Sequence, residues 1–173
     1  MVDVRAQLRL REARHMSEHA TADIMDDHPE AQVLDHALRS FGAVTSFAGP
    51  AHTVVAPEDN TLVRAELETP GNGRVLVVDG LGSMRCALVG DNLAQLGVDN
   101  GWVGIVVNGC IRDSAVIDQM GIGVKALGTN PRKSVKRDQG IVGQTVRCLG
   151  AEITEGAWVC ADTDGVIVLD GPV

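Results

Sequence analysis

Residues Arg74 to Gly109 read RVLVVDGLGSMRCALVGDNLAQLGVDNGWVGIVVNG. The stretch opens on Val75-Leu76-Val77-Val78, closed by Asp79-Gly80, and ends on Gly104-Ile105-Val106-Val107. A strand with one wet face alternates apolar and polar residues. These two runs do not alternate, so both of their faces must be covered, as in a parallel sheet flanked by other layers. Between them, Asp91–Gly101 places Leu93, Leu96 and Val98 on a narrow stripe, which predicts a helix. Strand, helix and strand within about thirty residues make a βαβ unit, whose crossover is expected to be right-handed.

The same theme continues downstream. SAVIDQMGI (114–122) predicts a short helix and GVKALG (123–128) the next strand. TNPRKSVKRDQG (129–140) reads as a polar loop. After it QTVRCLG, AEITEG, AWVCAD and GVIVLD, separated by Gly and Asp turns, predict antiparallel hairpins. Upstream, TADIMDD (21–27) predicts a helix capped by Thr21 or Asp23. AQVLDHALRSFG (31–42) shows helical spacing ending at Gly42. Residues 43–56 are β-rich, with a break expected at Gly49-Pro50. DNTLVRAELETPG (59–71) predicts a helix capped near Asn60 or Thr61 and stopped by Pro70-Gly71. Residues 1–20 form a charged lead-in, and residues 21–173 read as a single domain of α/β class.

Composition narrows the function. The chain has 173 residues, 45% of them hydrophobic but only 2% aromatic, so Val, Ile, Leu and Ala must fill the core. A net charge of −8 argues against direct nucleic-acid binding, which needs clustered Lys and Arg. The one basic run, PRKSVKR (131–137), reads as a solvated loop in preference to a phosphate site. Cys86, Cys110, Cys148 and Cys160 stand far apart with no CxxC spacing, which suggests reduced thiols in a cytoplasmic protein and neither a zinc site nor a disulfide scaffold. No apolar run approaches the ~18 residues of a membrane span.

In a parallel α/β unit, ligands bind beyond the carboxyl ends of the strands. Two segments lie there, Gly90-Asp91-Asn92-Leu93 at a helix start and NGCIRD (108–113) after the second strand. The helix start offers backbone N–H groups to an anion such as a carboxylate, and an ordinary Asp-capped helix start competes with that reading. Arg112 can bind a carboxylate bidentately or steady a developing oxyanion. Asp113 can hold a hard cation such as Mg²⁺, which keeps several waters. As consecutive residues in turn backbone, the two need not pair with each other, and in the plainer reading they are surface charges of little weight.

Other chemistry-bearing residues are less promising. His15, His19, His28, His36 and His52 all precede the βαβ core and read as surface residues. Cys110 lacks a histidine nearby in sequence and reads as an inert packed thiol. Ser83 lacks a GxSxG setting. Met84 and Met120 read as packing residues. VVDGLGS (77–83) looks superficially like a Gly-rich cofactor loop of a methyltransferase, a weak signal in isolation.

VLVVDGLGSMRCALVGDNLA, NGWVGIVVNGCIRD and IGVKALGTNPRKS, with TADIMDD and FAGPAHTV upstream and GAWVCADTDGVIVL downstream, together resemble the RraA-like family. That family includes regulators of ribonuclease activity A and 4-hydroxy-4-methyl-2-oxoglutarate (HMG) aldolases. The resemblance implies an α/β/β/α sandwich akin to swivelling phosphohistidine domains, assembled as homotrimers that can pair into hexamers. It implies cleavage of HMG to two pyruvates and decarboxylation of oxaloacetate, both through a pyruvate enolate, with a divalent metal (Mg²⁺ or Mn²⁺). It places substrate binding on Gly90, Asp91, Asn92, Leu93 and Arg112, catalysis on Arg112 and Asp113, and the metal on Asp113. The alternative it implies is a protein regulator that binds and inhibits ribonuclease E, a role that an acidic surface would suit.

Overall fold

A computed structural model describes residues 20–35 and 37–173. The lead-in and His15, His19 and His36 lie outside the described residues. The elements run α1 (Thr21–Asp27), β1 (Gln32–Val33), β2 (Arg39–Phe41), β3 (Phe47–Val55), α2 (Thr61–Leu67), β4 (Val75–Asp79), β5 (Ala87–Val89), α3 (Asp91–Asp99), β6 (Gly104–Ile111), α4 (Ser114–Ile117), β7 (Gly123–Thr129), β8 (Ile141–Val142), β9 (Val146–Cys148), β10 (Ala151–Ile153), β11 (Trp158–Ala161) and β12 (Val166–Leu169).

One curled mixed sheet carries most strands in the order β1-β12-β11-β3-β4-β6-β7-β2, with β5 beside β6, β8 beside β3, and β9–β10 as a separate hairpin. β3, β4, β6 and β7 pair in parallel. The expected βαβ unit is therefore β4-α3-β6, and α2 and α4 make the crossovers on either side of it.

The period of 2 along each strand explains the layering. In β4, Leu76 and Val78 face a cluster with Val63, Leu67, Leu93, Ala94 and Ile117 of the helices. Val75 and Val77 face the opposite way, against Val146, Ile153, Val159, Val166 and Val168 of the antiparallel strands. The outer face of β11 and β12, with Cys160, Ile167 and Leu169, is covered by Ile24 and Met25 of α1. β4, β6 and β12 are thus buried on both sides, as runs without alternation require.

Two expectations for the upstream half fail. The described residues of 31–42 form no helix. β1 pairs with β12 and β2 pairs with β7. The helical spacing of Ala31, Leu34 and Phe41 is coincidental, because each enters a different cluster. Nor does Gly49-Pro50 break the strand. β3 runs through it and changes partner there, with Phe47–Pro50 antiparallel to β11 and Ala51–Val55 parallel to β4. Gly49 is required because a Cβ would lie 2.1 Å from the Gly73 carbonyl oxygen.

The expected cap of α1 is also different. Neither Thr21 nor Asp23 caps it. The Asp162 carboxylate, reaching from the β11–β12 turn, accepts the Thr21 N–H at 2.8 Å and its hydroxyl at 2.8 Å. For α2 the N-cap position is Asn60, as expected, but its side chain makes no cap; the preceding Asp59 supplies one, its Oδ1 accepting the Thr61 N–H at 2.8 Å.

His52 is buried, contrary to the surface reading. Its Nδ1 lies 2.6 Å from Glu155 and its Nε2 2.7 Å from Glu66, which ties β3 to α2 and to the turn before β11. Burial would raise the Glu155 carboxyl, but hydrogen bonds from His52 and from the Thr53 N–H and hydroxyl hold it below its ordinary value. A carboxyl lowered in the folded state adds stability above its unfolded pKa and loses it as pH falls through the folded one. Glu155→Gln should therefore lower the thermal midpoint at pH 7, with the gap to wild type closing as pH falls below about 4. A gap unchanged from neutral to acid pH would contradict this.

All four cysteines are free and buried. Cys110 is the packed thiol expected, its pKa pushed up by burial. Met120 packs against the core, and Met84, although half exposed, lays its sulfur 3.5 Å from the buried Cys110 thiol. Among the described residues no helix is long and apolar enough to cross a membrane.

Candidate active site at the ends of the parallel strands

The stretch NGCIRD divides at Ile111. Asn108 to Ile111 continue β6 and are buried, so the strand is longer than expected. Its extra length is paired by β5, with Ala87 opposite Cys110 and Val89 opposite Ile111. Arg112 and Asp113 then leave the sheet. The Arg112 N–H donates to the Val89 carbonyl at 2.9 Å, which fastens this turn to the chain entering Gly90.

Asp113 stands at the N-cap position of α4 in left-handed backbone (φ 54°, ψ 34°), a conformation that Asp tolerates better than most residues. It makes no side-chain cap to α4. Instead its Oδ2 points to the other loop. The Asp91 N–H lies 3.5 Å away, and a Cβ on Gly90 would be 3.0 Å from the same oxygen. Gly90 is therefore the residue that lets the two loops close on each other.

Two details differ from the expected cradle. Arg112 and Asp113 do approach each other, with Nε 3.6 Å from Oδ2 and both side chains 40% exposed. Asp91 folds back so that its Oδ1 accepts the Asn92 N–H at 2.8 Å. An incoming carboxylate must compete with the protein's own acids for these amides.

A third loop completes the site. Gly90, Asp91, Asn92, Leu93 and Arg112 share a cavity of about 230 Å³ with Asn60 and Arg64 of the α2 start and with Lys133, Ser134 and Lys136. The basic run read as a solvated loop thus forms one wall. The Ala87 N–H donates to the Arg132 carbonyl at 2.7 Å, and the Asn130 N–H donates to the Ile111 carbonyl at 2.9 Å. Lys133 and Lys136 make no ion pair among the described residues, while Arg64 is shared with Glu68 at 3.0 Å. An acidic protein here gathers Arg64, Arg112, Lys133 and Lys136 against the single lining acid Asp91. A small, multiply charged anion is the ligand this field selects. The signal in the sequence was the density of Lys and Arg at 132–137. Its place beside the strand ends was not readable.

Among the described residues, no three His, Cys, Asp or Glu side chains gather to hold a metal. A lone, half-exposed carboxylate that caps no helix does not suit zinc. It fits a hard cation that keeps most of its waters and takes further oxygens from the substrate.

The sequence profile of the RraA-like family, described as aldolase/RraA, matches residues 21–168. The chain belongs to the RraA-like family. Relatives named "Putative 4-hydroxy-4-methyl-2-oxoglutarate aldolase" are 51% identical over 156 residues in Cupriavidus taiwanensis (87% of this chain, 94% of the relative) and 53% identical over 155 residues in Burkholderia multivorans (86% and 94%). Among solved structures, the RNA-processing inhibitor RraA from Thermus thermophilis superposes with a TM-score of 0.87 at 42% identity, covering 89% of this chain and 94% of that one. A structure named S-adenosylmethionine:2-dimethylmenaquinone methyltransferase from Geobacillus kaustophilus superposes at 0.86 with 45% identity, covering 89% and 96%. The mixed α/β fold with its curled sheet is thus shared with RraA structures.

Proposed function

We propose that this RraA-like protein is a divalent-metal-dependent carbon–carbon lyase for 2-oxo acids, cleaving HMG to two pyruvates and decarboxylating oxaloacetate. The observation that carries the reading is the convergence of residues 90–93 and Arg112 in a cavity walled by the basic loop and lined by Arg64, Arg112, Lys133 and Lys136, with Asp113 beside Gly90 and outside that lining. Both substrates carry two carboxylates and break a bond whose electrons must move onto the 2-oxo group. The names of the relatives support the aldolase part.

The roles follow from position. The α3 start takes the 1-carboxylate, with Asp91 swinging away from the Asn92 amide. Arg112, beside it, lays its guanidinium against the 2-oxo oxygen and stabilises the negative charge that grows there. Lys133 and Lys136 attract the far carboxylate. Asp113 would hold Mg²⁺ or Mn²⁺ together with water. Bound there, the cation would polarise the 2-oxo group as a Lewis acid.

The test is oxaloacetate decarboxylation with Mg²⁺ or Mn²⁺, wild type against Asp113→Ala. Metal-dependent turnover in the wild type that falls by roughly 10²-fold or more in the variant is expected. Absence of turnover in both, with every divalent metal tried, rejects the lyase.

Rejection would favour docking to and inhibition of ribonuclease E, a reading supported by the likeness to the Thermus inhibitor. The methyltransferase reading lacks physical support. Gly80-Leu81-Gly82-Ser83 leads into β5 and not into a helix, and Ser83 is spent donating to Glu58 at 2.5 Å. A homotrimer able to pair into a hexamer, a cytoplasmic location and kinship with swivelling phosphohistidine domains complete the proposal. The layering of helices, parallel strands, antiparallel strands and α1 is consistent with the last of these.

A further inference from the structure

Asp59 is a carboxylate that the roles above leave unused. Its residue is 1% exposed, so it cannot touch a ligand in the cavity. Its Oδ1 accepts the Thr61 N–H at 2.8 Å and the Thr61 hydroxyl at 2.6 Å. Its Oδ2 accepts two backbone N–H groups from the far end of the basic loop, Arg137 at 2.6 Å and Gln139 at 3.1 Å. Next to it the Asn60 N–H donates to the Ser134 hydroxyl at 3.2 Å, and Ser134 is the one buried residue between Pro131 and Gln139.

The loop needs such an anchor. Arg132, Lys133, Lys136 and Arg137 repel one another, and like charges packed this densely extend into water unless held. The entry to the loop is fixed by the Ala87–Arg132 and Asn130–Ile111 hydrogen bonds, and Asp59 fixes its exit. Lys133 and Lys136 lie between the two ties, and their flexible stems reach the cavity only if the backbone stays in place. We propose that Asp59 is a positioning residue that holds the basic loop over the cavity and thereby sets the site's preference for ligands with a second carboxylate. Burial raises its carboxyl, but the four hydrogen bonds outweigh burial and bring it down to about 2, so the anchor keeps its charge at any physiological pH.

This inference rests on the cavity being an anion site, and its test separates the two. Wild type, Asp59→Ala, the near-isosteric Asp59→Asn and a Lys133→Ala/Lys136→Ala double variant are compared by calorimetric titration with malonate and with acetate. Each is also digested with trypsin well below its melting midpoint. Cleavage at residues 132–137 should rise about tenfold in Asp59→Ala relative to other sites, and less in Asp59→Asn, because a backbone released from its anchor opens locally. Malonate should bind about fivefold or more weakly in Asp59→Ala, matching the double variant, with acetate unchanged. A purely structural role would leave the ratio of malonate to acetate affinity alone. Unchanged loop cleavage, or released cleavage with unchanged malonate affinity, overturns the inference. Wild type that binds no malonate overturns the anion site and with it the ligand preference, and the digestion arm then decides by itself whether Asp59 holds the loop. If Asp59→Ala does not fold, Asp59→Asn is judged by the same two readouts.

Discussion

Arg112→Lys is expected to lower kcat/KM for oxaloacetate decarboxylation by roughly 10²–10³-fold while the fold is kept. Lysine preserves the charge, so the loss tests geometry. The guanidinium has its Nε turned toward Asp113 at 3.6 Å, and its fork leaves further N–H groups for a substrate oxygen. An ammonium is a point charge that cannot serve the acid and the oxyanion in fixed directions together. Stability should change little, by about 0.5 kcal/mol or less, because the side chain is 40% exposed and the tie to β5 is made by the backbone. Steady-state kinetics and a thermal midpoint on the same preparation check both halves. Activity within threefold of wild type would remove Arg112 from the chemistry.

Gly123→Ala is expected to destabilise the protein by about 3 kcal/mol or more, lowering the thermal midpoint by roughly 6–12 °C. Gly104 and Gly123 are register partners on β6 and β7, and together they make a flat floor. The Phe47 ring lies on it. A Cβ at Gly123 would be 2.2 Å from Cδ1 and 2.4 Å from Cε1 of that ring, and 2.8 Å from the Val44 carbonyl oxygen. The ring cannot slide away across β6, because a Cβ at Gly104 would already be 2.3 Å from its other edge. Phe47 is 4% exposed and packed in the cluster between the sheet layers. The control is Gly121→Ala, two residues away, where the added methyl meets nothing within 4 Å and a change of about 0.5 kcal/mol or less is expected. Phe47→Leu combined with Gly123→Ala should cost less than the two single changes summed, since the smaller side chain frees the floor. Additive costs would show that the ring is not what the new methyl strikes.

Both predictions separate local from distant information. The apolar runs of β4 and β6 and the Leu93–Leu96 stripe of α3 could be read directly, because their burial pattern is set by neighbours two to four residues apart. The turn residues after β9–β12 located the hairpins for the same reason. The pairing of residues 90–93 with Arg112–Asp113 could also be anticipated, because a βαβ unit brings successive strand ends to one edge. What could not be anticipated was that Asp91 and Asp113 would turn onto the amides of α3, since rotamers depend on the closed site.

The amino-acid sequence by itself determined the α/β class, the parallel core and the sheet edge at which residues 90–93 meet Arg112 and Asp113, because each follows from periodicity and short-range connection. The tertiary structure alone decided four things: that residues 31–42 pair as two strands, that His52 is clamped between Glu66 and Glu155, that a glycine floor receives Phe47, and that the basic loop becomes a wall of the site. These depend on partners far apart along the chain, such as Asp59 and Arg137 at a separation of 78 residues. No local pattern encodes which of many distant polar groups will be brought within hydrogen-bonding reach once the sheet has formed.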